Sequence, residues 1–415
     1  MTSELETNRL TSSDPQHDWL ERGKSVFMNT YASYPIVFKK GKGTYIEDVN
    51  GKKYLDFVSG IAVNSLGHCD EGYVEAITEQ LNLFSHCSNL YLNTPAIKLA
   101  EALIRNGGFD RAFFCNSGTE AIEAALKLSR KYGKQTKGDQ CTTILTMSNS
   151  FHGRTYGALS ATAQTKYHQG YHPLVPDFQV VTFNDIDSVK SIDPKSVAAL
   201  IIEPIQGEGG IHVVDANFLK QLRDYCTEQN IVLIFDEIQC GVGRTGKFFA
   251  YQNFGVEPDL IALAKGLGGG FPIGALLAKN KIACAFQPGD HGSTFGGNAL
   301  ACAAALYCVN KIEKSEFLRS VEETSQRLRE ALKKLQDSGT GIIAVRGLGL
   351  MVGVELEFLA KPIIQSCIEN GMLIVGAGDT VLRLLPPLIV KPSEVDEAVT
   401  ILTKVLAEHN LSVSS

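Results

Sequence analysis

Short apolar runs alternate with amphipathic stretches between about residue 70 and residue 300 of the chain. Apolar runs with hydrophobic side chains on both faces of a potential strand lie at 112–115, 141–147, 197–202, 231–236 and 260–264. Strands of this kind are buried on both sides, as in a parallel sheet covered by helices. The stretches 119–132 and 217–228 have helical spacing. This alternation predicts a large α/β domain with a mainly parallel central sheet.

The two ends of the chain carry different patterns. Residues 44–57 alternate around Asn50-Gly51, which is typical of a β-hairpin. After residue 310 the pattern predicts a charged amphipathic helix at about 314–337, one strand at 347–356 that pairs with another at 381–385, and a last helix from Ser393. Helices and strands mixed in this order predict a smaller α+β domain that the early hairpin completes.

The first 25 residues lack any periodicity, and they predict either a mobile arm or a loosely docked helix. The predicted domains therefore follow from these changes of pattern. They are an N-terminal arm (1–25), an N-terminal part of the small domain (26–69), a large domain (70–310) and a C-terminal part of the small domain (311–415).

Length and charge restrict the class of protein. A chain of 415 residues is longer than a single hydrophobic core of about 250–300 residues supports, which favours more than one domain. The net charge is −6 and there is no long Lys/Arg run. These features argue against nucleic acid or an anionic membrane as the main partner. We therefore expect small-molecule substrates.

The cysteines indicate the redox compartment. None of the ten belongs to a C-x-x-C pair, and most interrupt apolar stretches. This spacing favours reduced, buried thiols over disulfides or a zinc site. The N-terminus resembles neither a secretory signal nor an Arg-rich transit peptide, and no apolar run approaches the roughly 20 residues that span a bilayer. We expect a soluble cytoplasmic protein.

Lys265 and Asp236 are the leading candidates for chemistry. Asp236 ends the apolar run I-V-L-I-F, and Lys265 ends L-I-A-L-A and opens a glycine run. The pair suits pyridoxal 5′-phosphate, which needs an amine to form a Schiff base and a carboxylate for its pyridine nitrogen. Lys265 could instead be a surface lysine, and Asp236 could cap the next turn. Against this, the apolar neighbours predict burial, and a buried carboxylate requires a cation.

An anion site is predicted where the strand at 112–115 meets the helix at 119–132. The connecting segment is Asn116-Ser117-Gly118-Thr119. A helix N-terminus offers unpaired N–H groups, and glycine lets the backbone approach an anion such as phosphate. The alternative is simple N-capping by Ser117 or Thr119.

Two arginines are candidates for binding a carboxylate. Phe151-His152-Gly153-Arg154 follows the strand at 141–147, so Phe151 could stack on a cofactor ring and Arg154 could hold a substrate carboxylate. A surface arginine over a packed phenylalanine is the alternative. Arg383 lies in V-L-R-L-L-P-P, where a buried guanidinium needs a carboxylate from the protein or from a substrate.

Two other motifs carry little weight. Gly241–Gly246 fits G-x-G-x-x-G, but the residues after it lack the small-residue helix and the acidic residue of a dinucleotide site. His168 and His172 have the i, i+4 spacing of helical metal ligands, but Gly170 lies between them and a third ligand is missing. We therefore expect neither a nucleotide site nor a metal site.

Taken together, six segments resemble the class III pyridoxal-phosphate-dependent aminotransferases. They are N-S-G-T-E-A, F-H-G-R-T, E-P-I-Q-G-E-G-G, I-F-D-E-I-Q-C-G-V-G-R-T-G, A-K-G-L-G-G-G-F-P-I-G-A and H-G-S-T-F-G-G-N. The likeness runs from about Phe27 to the C-terminus. Within that class, N-T-Y-A-S-Y-P-I-V-F, G-I-A-V-N-S-L-G-H-C and A-V-R-G-L-G-L-M-V-G are most similar to the acetylornithine aminotransferases of arginine biosynthesis. The resemblance implies the fold-type-I architecture and the cofactor pyridoxal 5′-phosphate, bound by the large domain.

The resemblance also implies roles for matching positions. Lys265 would be the Schiff-base lysine, and Asp236 would pair with the pyridine nitrogen. Arg154 and Ser293 would bind the acetylated substrate, and Glu208 would pair with Arg383 until a dicarboxylate arrives. The remaining implied cofactor contacts are Ser117, Gly118, Thr119, Phe151, His152, Glu237, Ile238 and Gln239, together with Thr294 from the second subunit of a homodimer.

The reaction implied by this likeness moves the δ-amino group of N2-acetyl-L-ornithine to 2-oxoglutarate. The alternatives are an aminotransferase acting on ornithine, succinylornithine or 4-aminobutyrate, an aminomutase of the same fold, and a catalytically silent binding protein. An intact Lys265 argues against the last. The sequence departs from the family pattern at Ile122, where Asn is frequent, and at Asp70-Glu71, where H-P is frequent. Neither position carries an assigned catalytic role.

Overall fold

The structure is a computed structural model that describes residues 14–413. The strands in chain order are β1 (Phe38–Lys42), β2 (Tyr45–Asp48), β3 (Lys53–Asp56), β4 (Arg111–Cys115), β5 (Thr143–Met147), β6 (Phe178–Val181), β7 (Val197–Ile202), β8 (Ile205–Gln206), β9 (His212–Val213), β10 (Val232–Asp236), β11 (Leu260–Leu263), β12 (Gly274–Ala278), β13 (Ile342–Leu348), β14 (Met351–Leu356), β15 (Met372–Leu373), β16 (Val375–Gly376) and β17 (Val381–Leu384).

The helices connect and cover these strands. In chain order they are α1 (Pro15–Val26), α2 (Ser59–Ala62), α3 (Glu71–Leu83), α4 (Thr94–Gly107), α5 (Gly118–Lys137), α6 (Tyr156–Ala161), α7 (Ile186–Lys190), α8 (Ala216–Glu228), α9 (Asn280–Ala283), α10 (Ala299–Ile312), α11 (Ser315–Asp337), α12 (Ala360–Glu369) and α13 (Pro392–Val413).

A seven-stranded sheet forms the centre of the molecule, in the order β4-β12-β11-β10-β7-β5-β6. Strands β11, β10, β7, β5 and β6 run parallel, and β12 is antiparallel to both of its neighbours. Every residue of β5, β7, β10 and β11 is buried, which explains why these segments are apolar without alternation. The predicted mainly parallel α/β sheet is confirmed.

Helix α5 covers one face of this sheet, where it packs against β7, β11 and β12. Its buried face consists largely of small side chains, including Ala121, Ala124 and Ala125, which let the helix lie close to the strands. Ile122, the departure from the family pattern, is fully buried in the same core. The helix thus fixes the position of its own N-terminus at the edge of the sheet.

The C-terminal α+β region forms a second sheet, in the order β13-β14-β17-β16. The predicted helices at 314–337 and from Ser393 are present as α11 and α13. The prediction that 347–356 is one strand is wrong, because Gly347 and Leu348 end β13 and the chain then turns into β14. The early hairpin is present, and β3 pairs in parallel with β15, which joins the hairpin to this region.

The N-terminal segment is described from residue 14 onward, and residues 1–13 of the predicted arm lie outside the described part. Of the two alternatives, the described residues adopt a helix. Asp14 caps α1, and the Gln16 side chain accepts a hydrogen bond from Val37 N at 3.3 Å. Because α1 buries none of its residues, it is loosely docked, as one of the two sequence interpretations predicted.

In the described part of the chain, no helix has the length and apolar character needed to cross a membrane. All ten cysteines are free thiols, and seven of them are buried. The domain boundaries remain a prediction.

Candidate active site

The candidate residues meet at the carboxyl edge of the parallel strands. The loop after β5 carries Phe151 and Arg154, β10 ends at Asp236, and Lys265 follows β11. Parallel strands in one sheet end at the same edge, where ligands bind in open α/β folds. The strand order therefore brings together residues that are far apart in the sequence.

Lys265 begins a short 3-10 helix (Lys265–Leu267), and its φ of 41° lies in the left-handed region. A non-glycine residue rarely adopts this conformation unless its surroundings enforce it, and functional sites collect such residues. Its Nζ makes no hydrogen bond or ion pair with any residue that the structure describes. Burial lowers the pKa of Lys265 below its ordinary value, and the charge of Arg383 acts in the same direction. The site thus favours a neutral amine.

Asp236 is buried, with 5% of its surface exposed. Its Oδ2 lies 2.7 Å from Nδ1 of the fully buried His152, and its Oδ1 accepts a hydrogen bond from Ile238 N at 3.1 Å. The carboxylate that the sequence expected to need a cation therefore has an imidazole partner. His152 Nε2 is buried without a hydrogen-bond partner among the described residues. The described residues thus satisfy only part of the hydrogen-bonding capacity of this buried pair.

Glu203 is another buried acid in this region, and the sequence interpretation missed it. It follows β7, the strand beside β10. Its carboxylate accepts hydrogen bonds from Phe151 N at 3.1 Å and Gly207 N at 3.2 Å, so it holds two site loops together. Burial raises the pKa of Glu203 to about 7, against the opposing charge of His152. An acid after an apolar run, the signal that identified Asp236, is also present here.

The sequence left two interpretations open for the N-terminus of α5, an anion site and simple N-capping, and the structure has features of both. The Ser117 hydroxyl caps α5 by accepting a hydrogen bond from Glu120 N, so the capping alternative is true of Ser117. The N–H groups of Gly118 and Thr119 have no acceptor among the described residues, as expected in the first turn. A Cβ on Gly118 would lie 2.8 Å from the Ile238 side chain, so only glycine allows this close approach. Two N–H donors therefore remain for an anion.

The two adjacent acids at the end of β10, Asp236 and Glu237, have different hydrogen-bond partners. Asp236 and Ile238 face the site, whereas the Glu237 carboxylate accepts hydrogen bonds from Ala250 N at 2.6 Å and Tyr251 N at 2.7 Å. The main-chain N–H and carbonyl of Glu237 also have partners. The Glu237 carboxylate is therefore bound by the main chain at residues 250–251, and its role as a cofactor contact stays a prediction.

Arg383 lies on β17 and forms the predicted ion pair with Glu208, with Nη1 2.6 Å from Oε1. The same nitrogen donates to Gln239 Oε1 at 3.1 Å, and Arg383 is only 2% exposed. Burial opposes ionisation of Glu208, but the charge and hydrogen bond of Arg383 outweigh it and hold the pKa of Glu208 below its ordinary value. Arg383 Nε is buried without a partner among the described residues. The Arg383 guanidinium is thus ion-paired with Glu208, and its Nε–H remains available as a hydrogen-bond donor.

Arg154 is exposed and lies against two aromatic rings. Its Cζ is 4.0 Å from the ring centroid of Tyr167 and 5.5 Å from that of Phe151. Its guanidinium makes no hydrogen bond or ion pair within residues 14–413. The arginine is therefore free to bind an anion.

Ser293 lies beside the N-terminus of α5, where its hydroxyl accepts hydrogen bonds from Asn116 Nδ2 at 3.1 Å and Gly296 N at 2.9 Å. The next residue, Thr294, is exposed. The structure therefore places Ser293 beside the N-terminus of α5 in the same chain, whereas Thr294 is exposed to solvent.

The two motifs that the sequence analysis set aside, Gly241–Gly246 and the pair His168 and His172, make contacts within the fold. Gly241–Gly246 forms turns without a following α-helix, and Arg244 Nη1 donates to the carbonyls of Leu350 at 3.0 Å and Pro386 at 2.5 Å. His168 Nε2 lies 2.8 Å from the Thr162 carbonyl. Within residues 14–413, no group of three or more His, Cys, Asp or Glu side chains is arranged to hold a metal ion.

Comparison with known proteins places the chain among aminotransferases. Residues 26–406 match the model of the aminotransferase class-III family. The acetylornithine aminotransferase of Methanocaldococcus jannaschii is 49% identical over 393 residues, which cover 95% of this chain and 99% of that protein.

Solved structures agree with this relationship. The ornithine aminotransferase of Toxoplasma gondii, whose active site holds pyridoxal phosphate at partial occupancy, superposes with a TM-score of 0.92 at 31% identity and covers 96% of each chain. The acetylornithine aminotransferase of Elizabethkingia anophelis superposes with a TM-score of 0.85 at 31% identity and covers 95% of this chain and all of that one. The fold therefore has solved counterparts that cover nearly the whole chain.

Proposed function

This chain belongs to the class III aminotransferase family, and on that premise we propose that it moves the δ-amino group of N2-acetyl-L-ornithine to 2-oxoglutarate. Its cofactor is pyridoxal 5′-phosphate. The observation that carries the proposal is an unpaired lysine at the carboxyl edge of the sheet, beside a buried Asp236–His152 pair. The choice of substrate is supported by 49% identity to an acetylornithine aminotransferase over 95% of this chain.

The residues present fit this cofactor. Gly118 and Thr119 offer two N–H groups to a phosphate, Lys265 offers an amine to an aldehyde, and Asp236 offers a carboxylate to a ring nitrogen. When bound, pyridoxal phosphate supplies the aldehyde that takes up the substrate's amino group, and a protonated ring that withdraws electrons from the amine-bearing carbon.

Lys265 is proposed to move the proton. Its lowered pKa favours the neutral amine, which is the form that attaches to an aldehyde and also removes a proton. Nζ would take a proton from the amine-bearing carbon of the donor and pass it to the carbon that had carried the cofactor's aldehyde oxygen. In the second half-reaction it would take a proton back from that carbon and deliver it to the keto carbon of the acceptor.

Asp236 is proposed to keep the ring nitrogen protonated, and His152 to hold the Asp236 carboxylate in its orientation. The 2.7 Å contact of His152 Nδ1 with Oδ2 leaves Oδ1 with only the Ile238 N–H as a partner in the described residues. Phe151 and Ile238 are proposed to cover the two ring faces, and Gln239 to reach the phenolic oxygen. Ser117 supports the phosphate indirectly, since its hydroxyl caps the helix.

The substrate side is proposed to use two arginines. Arg154, with Ser293 beside it, binds the α-carboxylate of the acetylated substrate through its unoccupied N–H donors. Arg383 is neutralised by Glu208 while that substrate is bound. When 2-oxoglutarate replaces it, a substrate carboxylate takes the place of Glu208, so one pocket serves two differently charged molecules.

A homodimer with shared active sites is proposed for the assembly. Thr294 is exposed, which suits a contact with the cofactor phosphate of a second copy. Asn89 donates hydrogen bonds to the carbonyls of Ser293 and Gly296, so this loop lies beside a second one. On these two loops the large apolar side chains of Leu90, Tyr91, Leu92 and Phe295 are exposed. Such a surface favours burial against another chain. Buried thiols suit the cytoplasm as the proposed location.

A survey of single half-reactions tests the proposed substrate. The purified holoenzyme is mixed in a stopped-flow spectrophotometer with acetylornithine, ornithine, succinylornithine or 4-aminobutyrate, and the cofactor spectrum is followed. We expect acetylornithine to give the highest ratio of rate to apparent Kd. A higher ratio for ornithine would assign the chain to ornithine aminotransferases instead.

Glu208→Gln is expected to alter the two half-reactions differently. The amide cannot neutralise Arg383, so the unpaired charge should weaken the reaction with acetylornithine while 2-oxoglutarate still binds its arginine. Loss of a charged hydrogen bond predicts a change of roughly 10- to 100-fold in the ratio of the two kcat/KM values. Glu208→Asp keeps the charge and should lie between the wild type and the amide variant. Equal effects on both half-reactions would rule out the proposed switch.

Arg154→Gln is expected to raise KM for acetylornithine roughly 100-fold with little change in kcat, because a carboxylate loses its two-pronged partner. Arg154→Lys keeps the charge but not the fork, so its KM should be intermediate. Steady-state kinetics at saturating pyridoxal phosphate provide the measurement. A fall in kcat without a change in KM would place Arg154 in the chemical step instead.

A further inference from the structure

The guanidinium of Arg154 is held by aromatic rings alone. Its Cζ lies 4.0 Å from the Tyr167 centroid, which is the closest of the cation–ring contacts in the described residues. The rings of Tyr167 and Phe151 are themselves 5.7 Å apart at 78°, an edge-to-face arrangement. Phe151 therefore supports Tyr167, and Tyr167 supports the arginine.

The aromatic contact leaves the N–H donors of Arg154 free for a ligand. An arginine held by a carboxylate would have its donors engaged and its charge neutralised, whereas a ring face fixes the guanidinium plane without using any N–H group. Arg154 is exposed and makes no hydrogen bond within the described chain, so a long flexible side chain would otherwise sample many positions. The Tyr167 ring thus fixes the orientation of the Arg154 guanidinium and leaves its N–H donors free.

We propose that Tyr167 is a positioning residue for substrate recognition, whose ring face holds Arg154 ready to receive the substrate's α-carboxylate. The inference rests on the proposed function, because it requires Arg154 to bind that carboxylate. Lys166 also lies over the Tyr167 ring, with Nζ 4.9 Å from the centroid. The Arg154 contact is closer. An ammonium group acts as a point charge and needs no fixed orientation, whereas a planar guanidinium does, so we infer that the ring positions Arg154 and not Lys166.

The role predicts a change in binding and not in chemistry. Tyr167→Leu removes the ring face, and KM for acetylornithine should rise roughly 3- to 30-fold, the range expected for a cation–π contact between exposed and desolvated settings. The value of kcat and the absorption spectrum of the bound cofactor should stay at wild-type levels. Tyr167→Phe keeps a ring face and should restore most of the lost affinity.

N-acetyl-1,4-diaminobutane provides a matched substrate, since it is acetylornithine without the α-carboxylate. Its KM should be the same in the wild type and in Tyr167→Leu, because Arg154 has nothing to bind. Lys166→Gln should leave the KM for acetylornithine within about 2-fold of wild type, as expected for an exposed charge. Thermal unfolding of each variant, which should match the wild type, checks that the loop remains folded.

The possible outcomes separate this inference from the proposed function. If Arg154→Gln raises KM but Tyr167→Leu does not, the proposed function stands and the role of Tyr167 is wrong. If neither variant changes KM for acetylornithine, the proposed carboxylate site itself is wrong. If Tyr167→Leu lowers kcat or alters the cofactor spectrum, Tyr167 acts through Phe151 on the cofactor and the inference is overturned. If KM rises equally for both substrates, orientation of Arg154 is not the cause.

Discussion

Replacing Lys265 with alanine is expected to lower kcat by roughly 10⁴-fold, the upper end of what a positioned acid–base group contributes. The variant loses the amine that attaches to the cofactor's aldehyde and the amine that moves the proton, which are the same atom. We expect no second lysine to substitute, because the chemistry depends on a residue held at φ 41° beside the sheet edge. Single-turnover kinetics with acetylornithine provide the measurement.

Two controls separate loss of chemistry from loss of folding. Lys265→Arg retains a cation but stays protonated, so it should be as inactive as the alanine variant. A small primary amine added to Lys265→Ala should restore part of the proton transfer and increase the rate with amine concentration. Activity within about 10-fold of wild type in either variant would show that Lys265 is not the proton-transfer group.

Asp236→Asn is expected to lower kcat by about 10²- to 10³-fold, the usual effect of removing one preorganised electrostatic contact to a developing charge. The amide cannot hold a proton on the ring nitrogen, and it also leaves the buried His152 without its charged partner. Because Asp236 is 5% exposed, water cannot replace the lost charge. Steady-state kinetics at saturating cofactor measure the effect.

Asp236→Glu is the matched control, since it retains the charge and changes only its position. It should keep more activity than the amide variant. Bound cofactor must be measured by absorbance in each variant, because weaker binding would otherwise lower kcat. A fully loaded Asp236→Asn enzyme with kcat within about 3-fold of wild type would remove the electrostatic role of Asp236.

The central sheet and its edge are predictable from the sequence because the physical signal is local. Each parallel strand is apolar throughout, and a charged residue at the end of such a strand is conspicuous. Asp236 and Lys265 both carry this signal. The same reasoning fails at Gly347–Leu350, where apolar residues continue through a tight turn and two strands resemble one.

Contacts between distant segments could not be predicted from residue patterns. Glu208 and Arg383 are 175 positions apart in the sequence, and without the structure only the family resemblance pairs them. In the structure, Arg383 Nη1 lies 2.6 Å from Glu208 Oε1. Glu203 carries the same signal as Asp236, but its importance depends on strand order, which places β7 beside β10. The contact of His152 with Asp236 depends on a loop conformation that no periodicity encodes.

Some side-chain directions also depend on packing. Glu237 and Asp236 are adjacent acids, and the sequence alone does not distinguish their directions. The structure separates them, because two N–H groups at residues 250–251 capture the Glu237 carboxylate and leave Asp236 at the site. Tyr167 carries no recognisable signal in the sequence, since its interest arises only from the position of its ring against Arg154.

The central claim is that the amine of Lys265 carries the aldehyde cofactor. The holoenzyme is reduced with sodium borohydride, digested, and its peptides are mapped by mass spectrometry. We expect one peptide to gain the mass of a phosphopyridoxyl group and fragmentation to place this group on Lys265. Labelling of a different lysine, or quantitative recovery of the Lys265 peptide in unmodified form from fully loaded enzyme, would contradict the claim.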